Sequence, residues 1–229
     1  EINAAWTRSP SDYFLITDDH TREGLITRNL PKEKMKVTGF PVSPRFESLE
    51  KVSPDDPLNP FRILFFPTAR SPHVTDIIKA TLSHENHITV VLGRNVRRLY
   101  SKVYSLKKSF PGRIHIKGWT RKVPELLSSH HLVIGKAGGA TVHEAIAAQC
   151  PMLVHHIVPG QEEGNIELLD RFQTGSLATS AKTIRESISN LLDDDAALWR
   201  EQKNRLSQHA RPSAARDAAN FILSKVKPS

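Results

Sequence analysis

Short apolar or β-branched runs alternate along this chain with stretches whose apolar residues recur every three or four positions. That alternation limits it to a parallel α/β architecture, in which helices cover both faces of a sheet. FRILFFP (61–67), ITVVLG (88–93), RIHIKG (113–118), HLVIG (131–135) and PMLVHHI (151–157) read as strands, with SLAT (176–179) a weaker sixth. Between them PHVTDIIKATLS, NVRRLYSKVYSLKK, KVPELLSS, TVHEAIAAQ and QEEGNIELLDRF carry the helical spacing. Further helices are expected near 180–192, 194–208 and 212–225.

Ahead of this array, DYFLITDD and KMKVTGF read as two more strands around a short helix near residues 20–30. PVSPRFESLEKVSPDDPLNP (41–60) follows, with five prolines and no periodicity, a composition that marks a linker. The expected organisation is the end of one α/β domain in residues 1–42, a linker at 43–60, and a complete six-strand α/β domain at 61–208. A C-terminal helix in 209–229 is expected to pack back on the first domain.

Composition excludes several classes. With 38% hydrophobic and 24% charged residues the chain is of the soluble globular type. No apolar run reaches the ~18–20 residues needed to span a bilayer. The chain opens EINAAWTRSP, with neither a methionine nor a charged-then-apolar leader, so a fragment or a processed product is expected. Its single cysteine, Cys150, lies where a helix meets a strand and reads as a small buried hydrophobe of a reducing compartment rather than a reactive thiol. The formal charge is +8, and residues 94–122 hold ten Lys and Arg without one Asp or Glu. Such a stretch is a solvated helix face, a contact for an anionic membrane surface, or a contact for a nucleic-acid backbone. Nucleic acid fits poorly, because Tyr100, Tyr104, Phe110 and Trp119 sit in no recognisable nucleic-acid module.

The stretch GKAGGATVHEA (135–145) carries the chemistry. It is a strand end, a glycine turn and a helix start in that order, at the strand end where open parallel sheets bind ligands. Gly138 and Gly139 admit backbone close to a ligand, and the helix N-terminus favours an anion such as phosphate. A second reading stays open: Thr141 and Glu144 match the capping box, Thr as the cap and Glu reaching back, with no ligand involved. The turn is neither a Walker loop nor a dinucleotide fingerprint. VPGQEEGN (158–165) occupies the same position one unit later, which would bring Gln161, Glu162 and Asn165 to the same rim as Gly138, Gly139, Thr141 and Glu144. Side chains that donate and accept in fixed directions suit a hydroxyl-rich sugar. No metal site is expected. The eleven histidines form no HExxH pair, His130-His131 and His155-His156 are adjacent residues that point apart in extended chain, and Asp18-Asp19 reads as a helix cap.

KAGGATVHEA together with PGQEEGN is similar to the donor half of the GT-B glycosyltransferases of the MurG, monogalactosyldiacylglycerol-synthase and processive diacylglycerol-glucosyltransferase group. The similarity runs from DYFLITDD and KVTGFPVSPRF to Gly118-Trp119. The resemblance implies that Glu144 holds ribose hydroxyls of a uridine nucleotide and that Gly138, Gly139, Ala140 and Thr141 contact its diphosphate. Gln161, Glu162 and Asn165 would hold the hexose, Trp119 and Thr120 would line the uracil pocket, and Arg45 would assist the phosphate. It also implies an inverting, metal-independent transfer of a hexose from a UDP-sugar to a membrane lipid, with diacylglycerol as the expected acceptor, no cofactor, and a cytoplasmic enzyme peripheral on the inner membrane face. Alternatives are a donor-binding subunit of a split transferase and a UDP-sugar epimerase of the same fold. Two departures stand out. After the first strand of the donor domain the group has a glycine-rich turn where this chain reads FFPTARSPHVTD, so Thr68, Arg70 and Ser71 would replace glycine N–H contacts. The general base of the group belongs to the acceptor domain, so the catalytic base is unknown here and this chain alone is expected to be inactive.

Overall fold

The computed structural model describes residue 8, residues 10–68 and residues 73–226, with only the backbone at Asn95 and Val96. These form two compact units, one from the residues up to Ser48 and from Arg211 onward, the other Leu49–Ala210.

In the first unit, β1 (Phe14–Ile16) and β2 (Met35–Val37) pair in parallel around helix α1 (Asp19–Ile26). Asp18 caps that helix: its Oδ1 accepts from the Thr21 N–H at 2.9 Å and its Oδ2 from the Thr21 hydroxyl at 2.9 Å. The expected cap is therefore what this acidic pair forms, and Asp19 is left to pair with Arg22 at 2.8 Å. Ile16, Leu25 and Leu30 make the small core. The C-terminal helix Ala214–Lys225 belongs to this unit: Phe221 meets Tyr13 edge to face at 5.3 Å, and Arg216 pairs with Glu47 at 2.8 Å. Gly39, at φ +89°, takes a left-handed conformation where a Cβ would lie 2.9 Å from that of Ala214.

The second unit is built from β3 (Arg62–Phe65), α2 (Val74–Thr81), β4 (His87–Val91), α3 (Val96–Ser109), β5 (Ile114–Lys117), α4 (Val123–Ser129), β6 (Leu132–Lys136), α5 (Gly139–Ala147), β7 (Met152–His156), α6 (Glu163–Phe172), β8 (Gly175–Leu177) and α7 (Ala181–His209). Each of the six expected runs forms a strand, and among the described residues the six make one sheet in the order β5-β4-β3-β6-β7-β8. Every pairing is parallel. Ile63, Leu64 and Phe65 are all fully buried, as a strand covered on both faces requires. The order reverses direction between β3 and β6, the topological switch point at which doubly wound sheets bind ligands. Helix α7 leaves helical geometry at Asp193–Ala196, which separates the two helical patterns read there.

A polar knot closes the core under the N-terminal ends of β3 and β6. The Arg62 N–H donates to His131 Nδ1 at 2.7 Å, the Trp199 indole donates to the His131 carbonyl at 2.8 Å, and Phe61 stacks on the His131 ring at 5.0 Å. The Pro-rich stretch is tied to the same unit from residue 49 onward: the Val52 N–H donates to the Ser128 carbonyl at 3.1 Å, and the Arg200 guanidinium donates to the Pro54 carbonyl. Cys150 is buried, and burial pushes its thiol up to about 12, so it is a packed side chain and no nucleophile.

Candidate functional site

All six strands run the same way, so their carboxyl ends share one edge. On that edge lie Trp119 after β5, Thr68 after β3, the glycine turn after β6, and the turn Val158–Glu162 after β7. Three strand spacings, roughly 14 Å, separate β5 from β6. That is the scale of an extended nucleotide.

The glycine turn differs from a capping box in one decisive way. Helix α5 begins at Gly139, its cap residue is Gly138 in extended backbone (φ −68°, ψ 136°), and no side chain caps it. Thr141 is therefore inside the first turn and is not the cap, which corrects the capping reading. The Val142 N–H closes on the Gly138 carbonyl at 3.0 Å, so the helix starts three residues earlier than the Thr-x-x-Glu spacing suggests. The first N–H groups of α5, at Gly139, Ala140 and Thr141, are thereby left to an outside acceptor.

Glu144 sits one turn further along, half-buried, and burial raises its carboxyl above the ordinary 4.5. Among the described residues no side chain pairs with it or donates to it. A carboxylate held in that state costs stability and is available to hydroxyl donors.

The second turn is joined to the first by two contacts. The Asn165 amide donates to the Ala137 carbonyl at 2.8 Å, which fixes the backbone just before Gly138. Lys136, the last residue of β6, donates to Glu162 Oε1, and Glu162 Oε2 accepts from the Val158 N–H at 3.0 Å. Glu162 is buried and both its oxygens are engaged within the chain, whereas Gln161 is exposed with only its backbone in the turn. Of the residues read as holding a hexose, Glu162 and Asn165 bind the two turns together and Gln161 faces solvent.

The remaining residues are more scattered. Trp119 is 57% exposed at the far end of the edge, with the Arg121 guanidinium 5.4 Å from its ring. Thr120 accepts from the Lys122 N–H at 3.0 Å at the start of α4. The Thr68 hydroxyl is buried without a partner among the described residues, as is His155 Nδ1, while His155 Nε2 donates to the Phe66 carbonyl at 3.4 Å. Arg70 and Ser71 lie outside the described residues. Arg45 is an exposed residue of the other unit, on the short 3-10 turn Pro44–Glu47. Lys136 is not among the site residues expected from the sequence. A charge at the end of the otherwise apolar LVIGK, in a strand buried on both faces, was the signal that could have found it.

No family model matches this chain. Among curated proteins it is similar to a processive diacylglycerol beta-glucosyltransferase of Bacillus pumilus, 26% identical over 221 residues that cover 93% of this chain and 57% of that protein. The chain thus spans somewhat over half the length of the curated relatives it matches. Among solved structures it resembles UDP-GlcNAc 2-epimerase from Neisseria meningitidis bound to UDP-GlcNAc, with TM-score 0.67 and 15% identity over 94% of this chain and 61% of that one. It also resembles MurG of Acinetobacter baumannii, with TM-score 0.59 and 16% identity over 75% of this chain and 52% of that one. The fold is the α/β fold of GT-B glycosyltransferases, and the likeness seen in KAGGATVHEA and PGQEEGN extends to relatives named as diacylglycerol glucosyltransferases across most of the chain.

Proposed function

We propose that this chain carries the sugar-nucleotide site of a glycosyltransferase that moves a hexose from a UDP-sugar to a membrane lipid, with diacylglycerol as the acceptor. The observation that carries the reading is the glycine-capped start of α5, bound through Lys136–Glu162 and Asn165–Ala137 to the next turn at the switch point of the sheet. In this reading Gly138, Gly139, Ala140 and Thr141 face the diphosphate, Glu144 the ribose, and Trp119 and Thr120 the uracil. Gln161, the exposed member of its turn, reaches the hexose.

The chemistry follows from fixed donors. Negative charge grows on the departing diphosphate, and helix N–H groups already aimed at it stabilise that charge without reorganising. We therefore assign no metal and no cofactor to the step, and direct displacement at the anomeric carbon inverts its configuration. The epimerase likeness supports a second reading, in which the same site isomerises the sugar nucleotide without an acceptor. Incubating the full-length protein with UDP-glucose, with and without diacylglycerol vesicles, separates the two. The transferase reading expects glucolipid and UDP only when lipid is present, and an epimerised nucleotide without lipid contradicts it.

The membrane partner rests on α3. That helix buries Leu99 and Val103 and exposes Arg97, Arg98, Lys102, Lys107 and Lys108, with Tyr100 and Tyr104 stacked at 5.5 Å on the outside. Among the described residues no helix is long and apolar enough to cross a membrane. Each basic residue near an anionic surface contributes about 1 kcal/mol, so a peripheral seat on the inner leaflet is within reach of this helix. Co-sedimentation with phosphatidylglycerol vesicles is expected to fall steeply as salt rises and to vanish on neutral phosphatidylcholine. Binding indifferent to both would remove the membrane from the account.

A further inference from the structure

We propose that Lys136 is the cation that meets the ligand's diphosphate, and that Glu162 is its positioning residue rather than a sugar ligand. The proposal rests on the nucleotide reading above and assigns roles within it.

The geometry is specific. A Cβ built on Gly138 would lie 3.0 Å from Lys136 Nζ and 3.1 Å from its Cε, so the ammonium hangs directly beside the cap residue of α5. It is held there by Glu162, whose side chain is 6% exposed while that of Lys136 is 45% exposed. The anion of the pair is thus inside and the cation faces out. An ammonium has three donors, and one goes to Glu162; no other acceptor engages it among the described residues. The pairing of β6 with β7 also shifts by one residue here: Gly135 lies opposite Val154 but Lys136 opposite His156, leaving His155 as an extra residue. Irregularities of this kind re-aim the side chains that follow them.

Electrostatics decides between a ligand role and a merely structural ion pair. A cation at the N-terminus of a helix meets the positive end of the dipole, which is unfavourable in the empty protein. An ion pair with one partner buried is also a weak source of stability. Both costs turn into gains when an anion enters between the ammonium and the free N–H groups of Gly139, Ala140 and Thr141. Gly138 is then required for space, because a side chain there would displace the ammonium.

The test is calorimetric titration of the whole chain with UDP and with uridine. The wild type is expected to prefer UDP. Lys136→Met alone would leave Glu162 buried without its partner, so Lys136→Met/Glu162→Gln serves as the main variant, with circular dichroism and the thermal midpoint confirming its fold. It is expected to lose roughly tenfold or more in UDP affinity with uridine affinity unchanged. Lys136→Arg should keep most of the preference. Glu162→Gln alone should lower UDP affinity severalfold while leaving the ratio of UDP-glucose to UDP affinity as it was; a loss confined to that ratio would make Glu162 a hexose ligand and overturn its assignment. A double variant that prefers UDP as strongly as the wild type overturns the role of Lys136 alone. A wild type that binds neither UDP nor uridine overturns the nucleotide reading, and this proposal with it.

Discussion

Glu144→Ala is expected to lower the affinity for UDP by about a hundredfold, the loss of two hydrogen bonds to a charged acceptor at ~1.5 kcal/mol each. The same change is expected to leave the fold intact or to stabilise it, because the two effects have opposite signs. Burial raises the Glu144 carboxyl above 4.5, so the folded chain disfavours the charged form. A raised acid pKa means that the group's stabilising contribution is complete below the unfolded value and is lost as pH rises through the folded one. At neutral pH the carboxylate is therefore a net cost, and alanine removes it. Calorimetry with UDP and a urea titration at pH 7 check both halves. A stability loss of the size expected for a lost helix cap, ~1 kcal/mol, with unchanged UDP affinity would return Glu144 to a structural role.

Acidification from pH 6.5 to 4 is expected to strip the Leu49–Ala210 unit of much of its stability. Burial is the first cause that lowers His131 to about 3 and His130 to about 4, from 6.5. For His130 it outweighs the hydrogen bond that its Nδ1 donates to the Leu126 carbonyl at 2.6 Å. The unfolded chain binds these two protons below pH 6.5 and the folded chain does not, so stability is complete above 6.5 and drains away as pH falls toward 4. Each histidine then costs on the order of 3 kcal/mol by pH 4, a large share of the stability of an ordinary domain. Urea midpoints at pH 7 and pH 4.5 measure it, and His131→Gln should remove about half of the slope. Equal midpoints at the two pH values would contradict the buried neutral state of this pair.

Most of the fold was legible because its signals are local. FRILFFP, ITVVLG and HLVIG are too apolar and too short for anything but covered strands, and the three- and four-residue spacing in TVHEAIAAQ and QEEGNIELLDRF marks helices. Asp18 was legible as a cap for the same reason, since its partner Thr21 lies three residues away. The site was legible only in outline. Thr141 and Glu144 satisfy the capping pattern perfectly well by spacing, and nothing local says that Gly138 takes the cap position in extended backbone instead. Nor does QEEGN say which glutamate turns inward. Glu162 does, because Lys136 waits for it 26 residues earlier in the chain; Glu163 stays at the helix start, where it accepts from the Gly160 N–H at 2.6 Å. Contacts of that sequence separation depend on how β6 and β7 are laid side by side, and a pattern read along one strand does not contain them.

In the proposed site the turn after β6 and the turn after β7 grip one small molecule. Titration of the isotopically labelled chain with UDP-glucose, followed through its amide resonances, tests it most directly. The amides of Gly138, Gly139 and Ala140 are expected to move together with those of Gln161 and Asn165 at a single midpoint, and UDP alone to shift the first group more than the second. Movement of only one turn, or of neither, would contradict it.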